Sequence, residues 1–99
     1  MYGLQAKMLA KPGQREGLLK LLLEASRSEP MPGCRLYVVS DIPAEPDAIA
    51  ITEVWDDKAA HDASLQLDGV RALIAKARPL IAGMGDSLEL HPVGGLGLD

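Results

Sequence analysis

One cysteine, one tryptophan, two tyrosines and no asparagine stand among the 99 residues. A single thiol, Cys34, forms no intramolecular disulfide, and no Cys/His spacing reads as a zinc site, so no zinc is expected and a reducing cytoplasm fits. No apolar stretch approaches the roughly eighteen residues that a membrane span needs, and Gln5 and Lys7 interrupt the N-terminal stretch where a signal peptide requires an apolar run. Basic residues are also short: 10 against 14 acidic ones, for a net charge of −4. Nowhere do they cluster beyond a pair, so the electrostatic footprint for phosphates or anionic lipid is missing. Neither nucleic acid nor a membrane is an expected partner. The chain has no room for a second domain, and a domain this small gains stability from an oligomeric partner.

What is present is a hydrophobic fraction of 47% arranged in short periodic segments. Tyr2, Leu4, Ala6 and Met8 alternate with Gln5 and Lys7, the pattern of a half-buried strand, which Lys11-Pro12-Gly13 breaks. Leu18, Leu19, Leu22, Leu23 and Ala25 recur at helical spacing from about Gln14 to Ser28, until Pro30-Met31-Pro32-Gly33 stops them. Cys34 to Ser40 and Ala48 to Trp55 have the β-branched and aromatic content of two strands, joined as a hairpin through the turn-rich residues 41–47. Asp56 or Asp57 is placed to start a short helix over Lys58 to Leu65. Val70, Leu73, Ile74 and Ala77 then mark one face of a further helix, which Pro79 ends near Arg78. Gly83 to Gly85 are expected to turn the chain, and Asp86 to His91 to form a last strand closed by Pro92. The glycines of residues 93–99 precede no helix, so they read as a tail beyond a single domain of residues 1–92 rather than as a phosphate loop.

The order β-α-β-β-α-β is the ferredoxin-like, α+β pattern, an antiparallel sheet with both helices on one face. Its other face should then be polar, yet the hairpin strands are apolar on both sides: Leu36 and Val38 against Tyr37 and Val39, Ala48 and Val54 against Ile49 and Ile51. A homodimer of face-to-face sheets follows as the expectation.

The run Pro32-Gly33-Cys34-Arg35-Leu36-Tyr37 and the later run from Glu53-Val54-Trp55 through His61-Asp62-Ala63-Ser64 resemble the antibiotic biosynthesis monooxygenase domain, including its quinol monooxygenases. The resemblance extends from Tyr2 to about Leu90. It implies a dimeric α/β barrel built from two such sheets, and a cofactor-independent enzyme that oxidises a small phenolic or quinol-like aromatic substrate with O₂. Such chemistry requires a base near neutral pKa, hydrogen-bond donors for the resulting anion, and an apolar pocket that excludes water. His61 is the candidate base, Tyr37 and Trp55 the candidate pocket walls, and Arg35 and Ser64 the candidate donors to an oxyanion.

Each assignment has a structural rival. His61 on an Ala- and Asp-rich helix also fits a solvated surface residue, Trp55 and Tyr37 fit core or interface anchors, and Glu53 fits a paired structural carboxylate or a second candidate base. Cys34 reads as a small packed hydrophobe, His91 as surface or interface, and Met8 as core or pocket wall. Many members of the family carry a histidine about nine residues past the tryptophan; here that position is Ser64, one helical turn beyond His61. The haem-degrading branch of the fold pairs that histidine with an asparagine, a residue type this chain does not contain. The alternative to an oxygenase is therefore a non-catalytic dimer that binds a small ligand, or serves in a stress response, on the same fold.

Overall fold

The computed structural model describes residues 1–28 and 30–98. Its first strand, β1 (Tyr2–Ala10), ends at a turn in which Gly13 takes φ +76°, a conformation that favours glycine, and donates its N–H to the Asp47 carboxylate at 3.3 Å. Helix α1 (Arg15–Ser28) follows and buries Leu18 and Leu22 against the sheet. Arg15 in its first turn donates to the carbonyls of Ile42 and Glu45, which ties the hairpin connection to the start of the helix.

Strand β2 (Cys34–Asp41) and strand β3 (Ala48–Trp55) pair antiparallel as the expected hairpin, and β1 pairs with β3 on its other side. Asp57 then caps helix α2 (Lys58–Ser64), its carboxylate accepting the N–H of Ala60 at 2.7 Å. Helix α3 (Asp68–Ala77) gives way to a single 3₁₀ turn over Arg78–Leu80, where Pro79 removes the donor that a longer helix requires. The chain returns through β4 (Ile81–Leu90) at the sheet edge, for the order β2-β3-β1-β4. This is the ferredoxin-like α+β arrangement, with the second crossover divided between α2 and α3.

One expectation fails at the last strand. Gly83 and Gly85 do not turn the chain but lie within β4, which starts at Ile81 rather than Asp86. The glycines are used in irregular pairing: the β1–β4 register shifts between Ala6 and Met8 and again between Leu9 and Ala10. A Cβ on Gly85 would stand 3.1 Å from the Lys7 side chain, so the close approach of the two strands there depends on glycine.

Strand register sorts the side chains. Tyr2 faces Trp55, Leu4 faces Glu53, Ala6 faces Ile51 and Met8 faces Ile49, while Tyr37 of β2 lies across from Glu53 and Val39 across from Ile51. These residues share the face that carries the helices, where Leu18, Leu22, Ile49, Ile51 and Ala77 form the core. Full burial of Leu18 and of Ile49 contributes roughly 1.5–3 kcal/mol each. The opposite face presents Leu36, Val38 and Leu88 to solvent beside Lys7, Gln5 and Thr52. Beyond β4, Val93 and Leu96 are exposed, and Leu98 donates its N–H to the Gly95 carbonyl at 3.1 Å; Asp99 lies outside the described residues. Among the described residues, no helix is long and apolar enough to cross a membrane.

Candidate active site

The end of β3 is where the two layers separate. Glu53 and Trp55 point the same way by strand alternation, toward the helices, and the short link through Asp56 and Asp57 swings α2 back over them. That return sets the imidazole of His61 against two aromatic rings. Its centroid lies 5.7 Å from that of Trp55 in an edge arrangement and 5.3 Å from that of Tyr2, the residue across the sheet from Trp55.

Between this cluster and the helices is a cavity of about 170 Å³. Its walls are aliphatic: Leu22 and Ala25 from α1, Met8 and Ile51 from the sheet, Met31, Leu65, and Val70, Leu73 and Ile74 along α3. Among the described residues, its titratable lining is Tyr37, Glu53 and His61.

Each of these groups is held in a defined state. The Trp55 indole N–H donates to Oε1 of Glu53 at 3.1 Å, which orients the carboxylate. Burial pushes the Glu53 carboxyl above its ordinary value, while the indole hydrogen bond and the nearby imidazole pull in the other direction. Burial, with the Glu53 charge next in weight, raises the Tyr37 phenol to about 12, so it stays a neutral donor. Nδ1 of His61 lies 3.0 Å from Oδ1 of Asp62, and that contact holds the Asp62 carboxyl below its usual range. With Nδ1 committed to Asp62, Nε2 is the nitrogen left for chemistry.

Of the residues singled out in the sequence, Tyr37, Trp55, His61 and Ser64 line one cavity, and Arg35 does not. The Arg35 guanidinium instead binds the Asp56 carboxylate at 2.6 Å in solvent. Ser64 is buried, but its hydroxyl donates to the His61 carbonyl at 2.6 Å, so its proton is spent within the helix. Cys34 stands outside the cavity, its thiol raised by burial and donating weakly to the Leu36 carbonyl. His91 is exposed past the end of β4. Tyr2 is the member that sequence reasoning left as an ordinary strand residue; only the pairing of β1 with β3 brings it to Trp55 and His61. Among the described residues, no three His, Cys, Asp or Glu side chains converge as a metal-ligand set.

A family sequence model described as antibiotic biosynthesis monooxygenase matches residues 1–76. Among solved structures, a protein from Chloroflexus aurantiacus J-10-fl is 52% identical over 99% of this chain and 98% of its own, with a TM-score of 0.92. Proteins from Deinococcus radiodurans (27% identity, 97% and 96% coverage, TM-score 0.76) and Caulobacter crescentus CB15 (21%, 94% and 90%, 0.85) have the same fold. All three are provisionally named antibiotic biosynthesis monooxygenases. No curated protein matches the sequence.

Proposed function

Because the chain belongs to the antibiotic biosynthesis monooxygenase family, we propose that it is a cofactor-independent monooxygenase that oxidises a small phenolic or quinol-like substrate with O₂ in the cavity beside Trp55. The observation that carries this reading is the composition of the cavity. Aliphatic walls enclose a carboxylate, an imidazole and a neutral phenol, the groups needed to remove a proton from a ring hydroxyl and to hold the anion that results.

His61 serves as the base through Nε2, with Asp62 fixing the other nitrogen and stabilising the imidazolium, and Tyr37 donates to the substrate oxyanion. The anion passes one electron to O₂, and recombination of the two radicals forms a C–O bond. Loss of water from the peroxide leaves one oxygen atom on the ring as a carbonyl. A quinol and O₂ thus become a hydroxyquinone and one water, the substrate supplying all four electrons. Exclusion of bulk water by the aliphatic walls lengthens the life of the anion and keeps it from being reprotonated.

The working unit is a homodimer in the cytoplasm, joined through the open sheet faces; the exposed Leu36, Val38 and Leu88 support that arrangement, and Cys34 remains a free thiol. Ser64 in the position where many family members have a histidine favours a second reading, a dimer that binds a small ligand without turnover. Incubation with hydroquinone or 1,4-naphthohydroquinone under ¹⁸O₂ separates the two. Mass spectrometry of the quinone product is expected to find one ¹⁸O atom incorporated from the gas. A product free of label, or no product, favours the binding dimer.

A further inference from the structure

We infer that the cavity selects a single aromatic ring and that the open oxygen of Glu53 accepts a hydrogen bond from a hydroxyl of that ring, orienting it for His61. The inference rests on the cavity being the substrate site, and it adds the size of the ligand and the group that reads its hydroxyl.

Size comes from volume. The cavity measures about 170 Å³, close to the roughly 150 Å³ of an apolar protein cavity that admits benzene and well below the roughly 300–1,000 Å³ of sites for larger ligands. One six-membered ring with one or two hydroxyl groups fits within it; a fused two-ring system exceeds it and leaves part of its apolar surface outside.

Recognition comes from the inventory of polar atoms. A hydroxyl transferred from water into aliphatic surroundings costs free energy unless it finds a partner there. The serine protons are spent, that of Ser26 on the Leu23 carbonyl and that of Ser64 on the His61 carbonyl, and the Trp55 N–H is spent on Glu53. Among the described residues, Tyr37 remains as a donor, and Glu53 and His61 as acceptors. The Glu53 carboxylate is held by Trp55 through Oε1. Among the described residues no sealed side-chain nitrogen or oxygen lacks a partner, so Oε2 is open rather than entombed. The indole therefore fixes the carboxylate with one oxygen satisfied and the other presented, the geometry of a preset acceptor.

Binding, rather than turnover, is the test. Trp55 is the sole tryptophan, so the protein has one indole N–H resonance, and that N–H is bonded to the carboxylate in question. Under anaerobic conditions, ¹⁵N-labelled full-length protein is titrated with hydroquinone, with p-xylene (the same ring without hydroxyls) and with 1,4-naphthohydroquinone. The expected result is a saturable shift of the Trp55 resonance with hydroquinone, weaker binding of the two-ring diol, and a loss on the order of tenfold in hydroquinone affinity in Glu53→Gln, because a charged acceptor bonds about twice as strongly as a neutral one. Binding of p-xylene should be unchanged by that substitution. Equal hydroquinone affinity in a folded Glu53→Gln, tighter binding of the naphthalene diol, or no saturable shift overturns the inference. The ring-size comparison needs only the parent protein, so it holds even if the variant fails to fold. Saturable hydroquinone binding without oxygen consumption would overturn the oxygenase reading alone; oxidation of two-ring substrates only would overturn the ring-size inference alone.

Discussion

Glu53 illustrates how one residue couples stability to chemistry. Burial raises its carboxyl above the ordinary value of 4.5, so between these two values the folded chain keeps a proton that the unfolded chain has lost. Its contribution to stability is present at low pH and declines as pH rises through the folded value. Glu53→Gln keeps an acceptor for the Trp55 N–H and removes the charge. Thermal denaturation is expected to give it a higher Tm than the parent at pH 7, with the difference closing below about pH 4.5. Tyr37 follows the same sign on the basic side: its stabilisation is complete below pH 10 and is lost as pH rises toward 12. An ultraviolet titration comparing the parent with Tyr37→Phe should assign to this residue a tyrosinate step near pH 12.

At the scale of elements, the site depends on a seven-residue helix that isolated propensity does not sustain. Two contacts hold α2 in place. Asp57 caps it, and Gly33 supports it from below: this glycine has φ +84°, and a Cβ there would stand 2.7 Å from the Ala60 Cβ. Asp57→Ala is expected to cost about 1 kcal/mol in chemical denaturation. Gly33→Ala should cost more than about 1 kcal/mol, and adding Ala60→Gly should recover the steric part but not the backbone part.

The same scale shows what was legible beforehand. The hairpin strands, an aspartate cap at residue 56 or 57, the Pro79 stop and the apolar stripe of α1 follow from local spacing, and the structure gives the cap to Asp57. The start of β4 does not, because Gly83 and Gly85 read as a turn and act as irregularities in an edge strand. The candidate residues Tyr37, Trp55, His61 and Ser64 come together because three of them lie on β3 and α2, consecutive in the chain, and Tyr37 on the hairpin partner. Tyr2 was out of reach, since its place beside His61 depends on a long-range strand register that no local pattern encodes. Arg35 stands two positions before Tyr37, so alternation alone puts both on one face, but the β2–β3 register shifts between Cys34 and Leu36, and Arg35 at that irregularity binds Asp56 instead.

The whole molecule is a slab, 38 × 31 × 19 Å, whose thin dimension accommodates one sheet and one helix layer. Its uncovered face carries Leu36, Val38 and Leu88 with 39%, 40% and 58% of their surface exposed, a patch that a second sheet would bury. Leu36→Lys combined with Leu88→Lys is expected to shift sedimentation equilibrium toward monomer while leaving the far-ultraviolet circular dichroism of the fold intact. Unchanged mass in that variant would move the interface elsewhere.

In the proposed reaction the substrate itself supplies the electrons, with His61 as the base. It is tested most directly by oxygen uptake in metal-stripped protein with chelator present, with hydroquinone and larger quinols or anthrone-like phenols as substrates and His61→Ala alongside. Uptake above the autoxidation rate is expected, falling at least a hundredfold in His61→Ala, within the roughly 10²–10⁴-fold range of general-base catalysis. Uptake no faster than autoxidation across the panel, or equal rates in the parent and a folded His61→Ala, would contradict it.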